Sequence, residues 1–318
     1  MQYFLTTITD FDERLTLFPY ERFDLNEELI LFRDPENAYQ IKACLVKNEN
    51  IPYADYEKIE NEFQTFTSIF SLLSETPVKQ EFHEMTVKVQ DRTNIGYSLV
   101  TPKPSIKIAL PNEIFHDLKI MATLLKTRKL WTYYAGLPPS SLKDRVTTAL
   151  HYYLYAKRAA SAEFRIINYC IAFEVLYVMD ERSKKDTVSK RASKLLFPIT
   201  WHNPEIIKPY LIELFEARNA IMHEGNYEEK IHQIRLHYVD KYLKTSLEIF
   251  LLLAEKYETK SELIALIDNI EGMEIDHILT KEDHLNFLRD ESDIFELIKI
   301  RDEEQRKLFG KDNMKDVN

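Results

Sequence analysis

The chain has 318 residues, a formal net charge of −10, 45% apolar residues and only 5 Gly among 18 Tyr and 18 Phe. That apolar fraction can bury a sizeable core and the length favours two domains. The acidity argues against a general nucleic-acid binder, and the shortage of Gly argues against phosphate-cradling loops, of which no Walker A or GxGxxG pattern occurs.

The N-terminal segment MQYFLTTITDFDER lacks a basic stretch followed by an apolar one, so no signal peptide is expected. The first 35 residues give no clear periodicity. YQIKACLVKN (39–48) and VKQEFHEMTVKVQ (78–90) carry β-branched residues and partial alternation, which predict strands. Between them, residues 53–75 have helical spacing at Ile59, Phe63, Phe66, Phe70 and Leu73. YSLVTPKPSIKIAL (97–110) reads as a strand pair broken by Pro102 and Pro104. From Asn112 onward the pattern is helical. A helix is predicted over 112–127. Another runs from about 142 to 160, with Ser141 and Asp144 as a weak N-terminal cap, and a third covers 163–180. Residues 180–197 read as a charged loop and a short helix, and 201–209 as a turn. Pro209 then opens a helix that ends near Gly225. A long helix over about 227–257 and further helix over 259–300 complete the chain. IFLLLA (249–254) is short and flanked by charge, as in a buried helix, and no run is long enough to span a membrane. The fold class expected is α+β: a mixed α/β N-terminal domain (1–110), an all-helical bundle (111–258) and an acidic helical C-terminal extension (259–318).

Charge follows these divisions. Residues 142–258 sum to about +2, residues 1–141 to about −5 and residues 259–318 to about −7. The middle segment alone does not repel a polyanion. Cys44 and Cys170 form no zinc or redox motif, which fits a reducing, cytoplasmic setting.

The richest stretch is EARNAIMHEG (216–225). Leu211, Leu214, Phe215 and Met222 define an apolar stripe, and Arg218 falls inside it between Leu214 and Met222. His223 lies about 140° around the helix from Arg218, beside Asn219. A guanidinium on a packed face needs a counterion. The helix from Ile166 to Met179 holds one formal charge, Glu174, which needs a partner as well. Glu174 and Arg218 are therefore expected to meet between packed helices.

A long helix, an apolar helix carrying AFE (172–174), then KRASKLLF (190–197), then LFEARNAIMHEG (214–225) resembles the Apea-like branch of the HEPN superfamily. The resemblance covers roughly 140–258. It sets Glu174 at the acidic position, Arg191 at the downstream basic one, and Arg218, Asn219 and His223 in the R-x4-H motif. Glu224 stands where many relatives run His-Gly directly. Many members are metal-independent endoribonucleases of defence and toxin systems. The resemblance therefore implies RNA cleavage by 2′-hydroxyl attack, an HEPN-type helical bundle and a homodimer whose clefts draw on both copies. The residue types suit that chemistry: His exchanges protons near neutral pH, and Arg offers a permanently charged fork to phosphate oxygens. Asn219 would orient the His or a phosphate, and Glu174 would hold the Arg. No cofactor and no metal is implied.

Lys190, Arg191 and Lys194, with Arg182, Lys184 and Lys185, form a basic run that would track an RNA backbone, the alternative being a solvated helix and loop. His232 and His237 lack the spacing of a helical metal pair, and His277 and His284 with Asp276 and Asp283 make a weak metal set. His151 among Tyr152, Tyr153 and Tyr155 belongs to packing.

Three functions remain in view. The first is an RNA-cleaving effector whose front domain senses a trigger or a regulatory partner. The second is a non-catalytic module that binds RNA, a nucleotide or a partner protein. A variant in which a partner modifies a Tyr two residues past the His loses weight, because Gly225 stands there. The third is a purely structural protein, with Arg218 and Glu174 fully buried.

Overall fold

The computed structural model describes residues 2–9, 22–33, 41–48, 51–52, 55–73, 79–81, 88–89, 111–180, 182–200, 204–223, 231 and 234–270. The chain divides into two compact units between Thr132 and Tyr133.

In the first unit, β1 (Gln2–Thr9), β2 (Arg22–Asp24), β3 (Leu29–Arg33), β4 (Ile41–Lys47), β5 (Lys79–Glu81) and β6 (Lys88–Val89) form an antiparallel sheet of order β2-β3-β4-β1-β5, with β6 also on β1. β1 lies against β4 with Phe4 opposite Leu45 and Leu5 opposite Cys44. Leu29, Ile30 and Leu31, and likewise Ala43, Cys44 and Leu45, are buried at consecutive positions, so both faces of β3 and β4 are covered there. Asn26 shapes the β2–β3 turn, its Oδ1 accepting from the N–H groups of Glu28 (3.0 Å) and Leu29 (2.6 Å). The helix α1 (Tyr56–Leu73) buries the predicted Ile59, Phe63, Phe66 and Phe70. It also buries Thr67 and Ser68, whose hydroxyls donate to carbonyls one turn back at 2.8 and 2.7 Å. The strands expected over 39–48 and within 78–90 are present as β4, β5 and β6, and 97–110 lies outside the described residues. The first 35 residues, unassigned from sequence, supply β1, β2 and β3.

α2 (Pro111–Gly136) is longer than the 112–127 expected, and the division between units falls within it. Pro111 suits its first position, where a missing N–H costs nothing. In the second unit α3 (Ser141–Arg158) is capped by Ser140, which accepts from the N–H of Lys143, so the cap stands one residue before the Ser141 expected. α4 (Ala162–Tyr177) is capped by Ser161 in the same way. α5 (Lys184–Thr200) is a full helix of 17 residues where a short one was expected.

α6 (Pro204–His223) begins at Pro204, not Pro209, which sits inside it. Pro204 takes the tolerated first-turn place, whereas Pro209, at the sixth position, removes the bond an N–H there would give the Glu205 carbonyl. α7 (Leu236–Leu253) begins nine residues later than expected, and α8 (Lys260–Asn269) carries a capping box of Thr259 and Glu262.

α7 packs on α3, α4, α5 and α6. Its residues from Thr245 to Leu251 are all buried, as IFLLLA suggested. α8 packs on α5 and α3. The described residues thus give an α+β chain whose second unit is helical. Among them no helix is long and apolar enough to cross a membrane.

Candidate functional site

α4 and α6 lie side by side, and the buried Cys170 of α4 donates from Sγ to the Leu214 carbonyl of α6 at 3.8 Å. Burial pushes the Cys170 thiol well up, so it stays protonated and acts as a packing group. One turn further along α4, Glu174 reaches Arg218 of α6, with Oε1 and the guanidinium 3.8 Å apart. The expected pair is formed, but loosely. Glu174 Oε1 is buried and accepts no hydrogen bond among the described residues. Its other oxygen takes the stronger contact, a 2.7 Å ion pair from Lys184 at the start of α5.

Neither member of the pair is fully buried: the Glu174 side chain is 14% exposed and that of Arg218 is 28% exposed. A purely structural clamp would hide both. Leu211, Leu214 and Phe215 are buried as the stripe requires, whereas Met222 is 54% exposed, so the stripe opens to solvent within one turn after Arg218. Arg218 also donates to Asn219 Oδ1 at 3.2 Å. Asn219 and His223 are both exposed near the end of the helix. His223 lies about 140° from Arg218 around the axis. Among the described residues no hydrogen bond or ion pair reaches it. The structure therefore brings Glu174, Arg218, Asn219 and Lys184 together and leaves His223 apart. Glu224, Gly225 and Tyr227 lie outside the described residues, as do His232, His277 and His284.

The basic run divides. Arg191 is 8% exposed and holds Asp268 of α8 with two parallel bonds, Nε to Oδ1 at 2.9 Å and Nη2 to Oδ2 at 2.7 Å. Its Nη1 donates to the Tyr177 carbonyl at 2.6 Å, which satisfies an end-of-helix acceptor on α4. The same guanidinium holds the Asp268 carboxyl below the usual carboxylate range. Lys194 donates to the Asp268 carbonyl at 2.8 Å. Arg191 is thus engaged inside the bundle and Lys194 at its surface against the end of α8, and Lys190 is exposed. Lys185 is paired with Glu216 at 2.9 Å.

Two residues at this site escaped sequence reasoning. Lys184 looked like one more cation in a run. Asp268 sits 77 residues from Arg191, so no local spacing marks it.

No protein-family model matches the chain, and neither does any curated protein or solved structure.

Proposed function

We propose that the helical unit is a metal-independent endoribonuclease of the HEPN kind, acting on RNA through 2′-hydroxyl attack. The observation that carries this reading is the Glu174–Arg218 pair, loose and part-exposed at 3.8 Å. A carboxylate on one side positions the guanidinium, and the exposed part of the fork remains available to a phosphate. Asn219 on the same guanidinium narrows its orientation.

In the reaction His223 takes the 2′-hydroxyl proton, the 2′-oxygen bonds to phosphorus, and the bond from phosphorus to the 5′-oxygen breaks. The departing 5′-oxygen takes a proton from water, and the protonated His223 returns its own to solvent. Arg218 stabilises the charge that builds on the phosphoryl oxygens. The products are a 2′,3′-cyclic phosphate, which opens to a 3′-phosphate, and a 5′-hydroxyl end. Because Arg218 and His223 diverge on one helix, a single chain does not aim both at one phosphate. A twofold pairing of α6 with its copy supplies the missing partner, so the active species is a homodimer.

A second reading, a non-catalytic HEPN module that binds RNA, a nucleotide or a partner protein, is favoured by a different observation. Arg191 and Lys194, two cations of the basic run, are occupied by Asp268 and the end of α8. The test is RNA cleavage in EDTA by wild type, Arg218→Ala and His223→Ala. Cutting by wild type alone, with cyclic-phosphate ends, and none at a 2′-deoxy position, is expected. Binding without cutting by all three folded proteins would favour the module.

A further inference from the structure

A second feature of the helical unit belongs to neither the Glu174–Arg218 pair nor the core. Tyr210 of α6 and Tyr238 of α7 stand with ring centroids 5.2 Å apart. Both rest on the fully buried Tyr242, at 6.3 and 6.4 Å. His237 adds a fourth ring, 4.1 Å from Tyr238. Tyr242 anchors the group, while Tyr210 and Tyr238 are half-buried and His237 is exposed.

Two cations flank these rings at the start of α7. Arg235 is exposed and donates to the Tyr210 hydroxyl at 3.5 Å, and Lys241 is exposed one turn beyond His237. The carboxylate on this part of α7, Asp240, is held by Tyr169 at 2.7 Å and by Lys157 at 3.3 Å. The nearest exposed acid on α6 is Glu213, one turn from Tyr210. Half-exposed aromatic rings beside cations, with the acid of the same helix neutralised, match unstacked bases joined by phosphates.

We infer that Tyr210, Tyr238 and His237, with Arg235 and Lys241, form a base-stacking subsite for single-stranded RNA. The rings take bases and the two cations take the flanking phosphates. Tyr210 lies 13 residues before His223 on α6, about 20 Å along the axis, or about six stacked nucleotides at ~3.4 Å each. The subsite is therefore separate from the Arg218 end and selects unpaired strand over duplex, whose bases are hidden in the stack. The inference takes its ligand class from the RNA reading above.

The test is binding of a short fluorescent 2′-O-methyl oligouridylate, which cannot be cut, to the full chain. Tyr238→Leu and Tyr210→Leu are each expected to weaken binding about tenfold, and Tyr238→Phe to keep it. Helical content by circular dichroism checks that each variant is folded. Crosslinking to 5-iodouracil RNA is expected to label Tyr210, Tyr238 or His237. Unchanged affinity in folded Leu variants, labelling elsewhere, tighter binding of duplex, or no binding by wild type would each overturn the subsite. The cleavage reading fails separately, if unmodified RNA stays whole while the oligouridylate still binds and the Leu variants still weaken it.

Discussion

At the scale of the residue, Glu174 is asked to serve two cations with unequal contacts, Lys184 at 2.7 Å and Arg218 at 3.8 Å. Glu174→Gln keeps the shape and removes the charge both depend on. It is expected to lower stability by about 1–2 kcal/mol, read as a shift in the urea midpoint. It should also abolish whatever RNA activity depends on a positioned Arg218. His151 gives a cleaner pH signal. Burial pulls its imidazole down to about 4, so the folded state resists protonation while the unfolded chain accepts it at the ordinary value of 6.5. The unfolded state then binds more protons, and stability is lost as pH falls from about 6.5 to about 4. The loss amounts to roughly 3 kcal/mol at most. His151→Asn should remove that part of the pH dependence, measured as the difference between variant and wild type in urea unfolding at pH 7 and pH 4.

At the scale of the element, Arg191 ties three helices together: its own α5, the end of α4 through the Tyr177 carbonyl, and α8 through Asp268. Arg191→Lys cannot reproduce a planar fork and should destabilise by about 2–3 kcal/mol, visible as a fall in Tm. Because Asp268 titrates below its ordinary value in the fold, its contribution is present above that value and fades as pH drops through the lowered one. Element by element, the sequence was readable where periodicity was strong. The stripe of α1 and the IFLLLA run of α7 ended where their spacing put them, in the core. β4 was legible in residues 39–48, whereas β1, β2 and β3 were missed, and β3 is buried on both faces at Leu29 to Leu31 and so loses the alternation that marks a half-buried strand. Helix starts were misjudged where two signals competed, Pro204 against Pro209 and Ser140 against Ser141. The Glu174–Arg218 pair was legible because each was the odd charge on an apolar face. Arg191 looked the same as a phosphate ligand, since its partner lies far along the chain.

At the scale of the whole molecule, 42 Lys and Arg are outnumbered by 52 Asp and Glu, and the net charge of −10 works against binding of a polyanion. Under the proposed RNA reading, the part-exposed Arg218 and the exposed Lys190, Arg235 and Lys241 would neutralise about four phosphates. The logarithm of RNA affinity should then fall with the logarithm of salt at a slope of about −3. A slope steeper than about −6 would require a broad basic face that these residues do not make. The shared active site is the claim on which the rest depends, and mixing two inactive variants tests it most directly. Arg218→Ala and His223→Ala are purified separately, mixed, allowed to exchange subunits and assayed on RNA in EDTA. Each variant alone is expected to be inactive, and the mixture to recover about a quarter of wild-type cutting, because half the dimers then carry one intact site of two. A mixture as inactive as its components, beside an active wild type, would contradict a site shared between two copies.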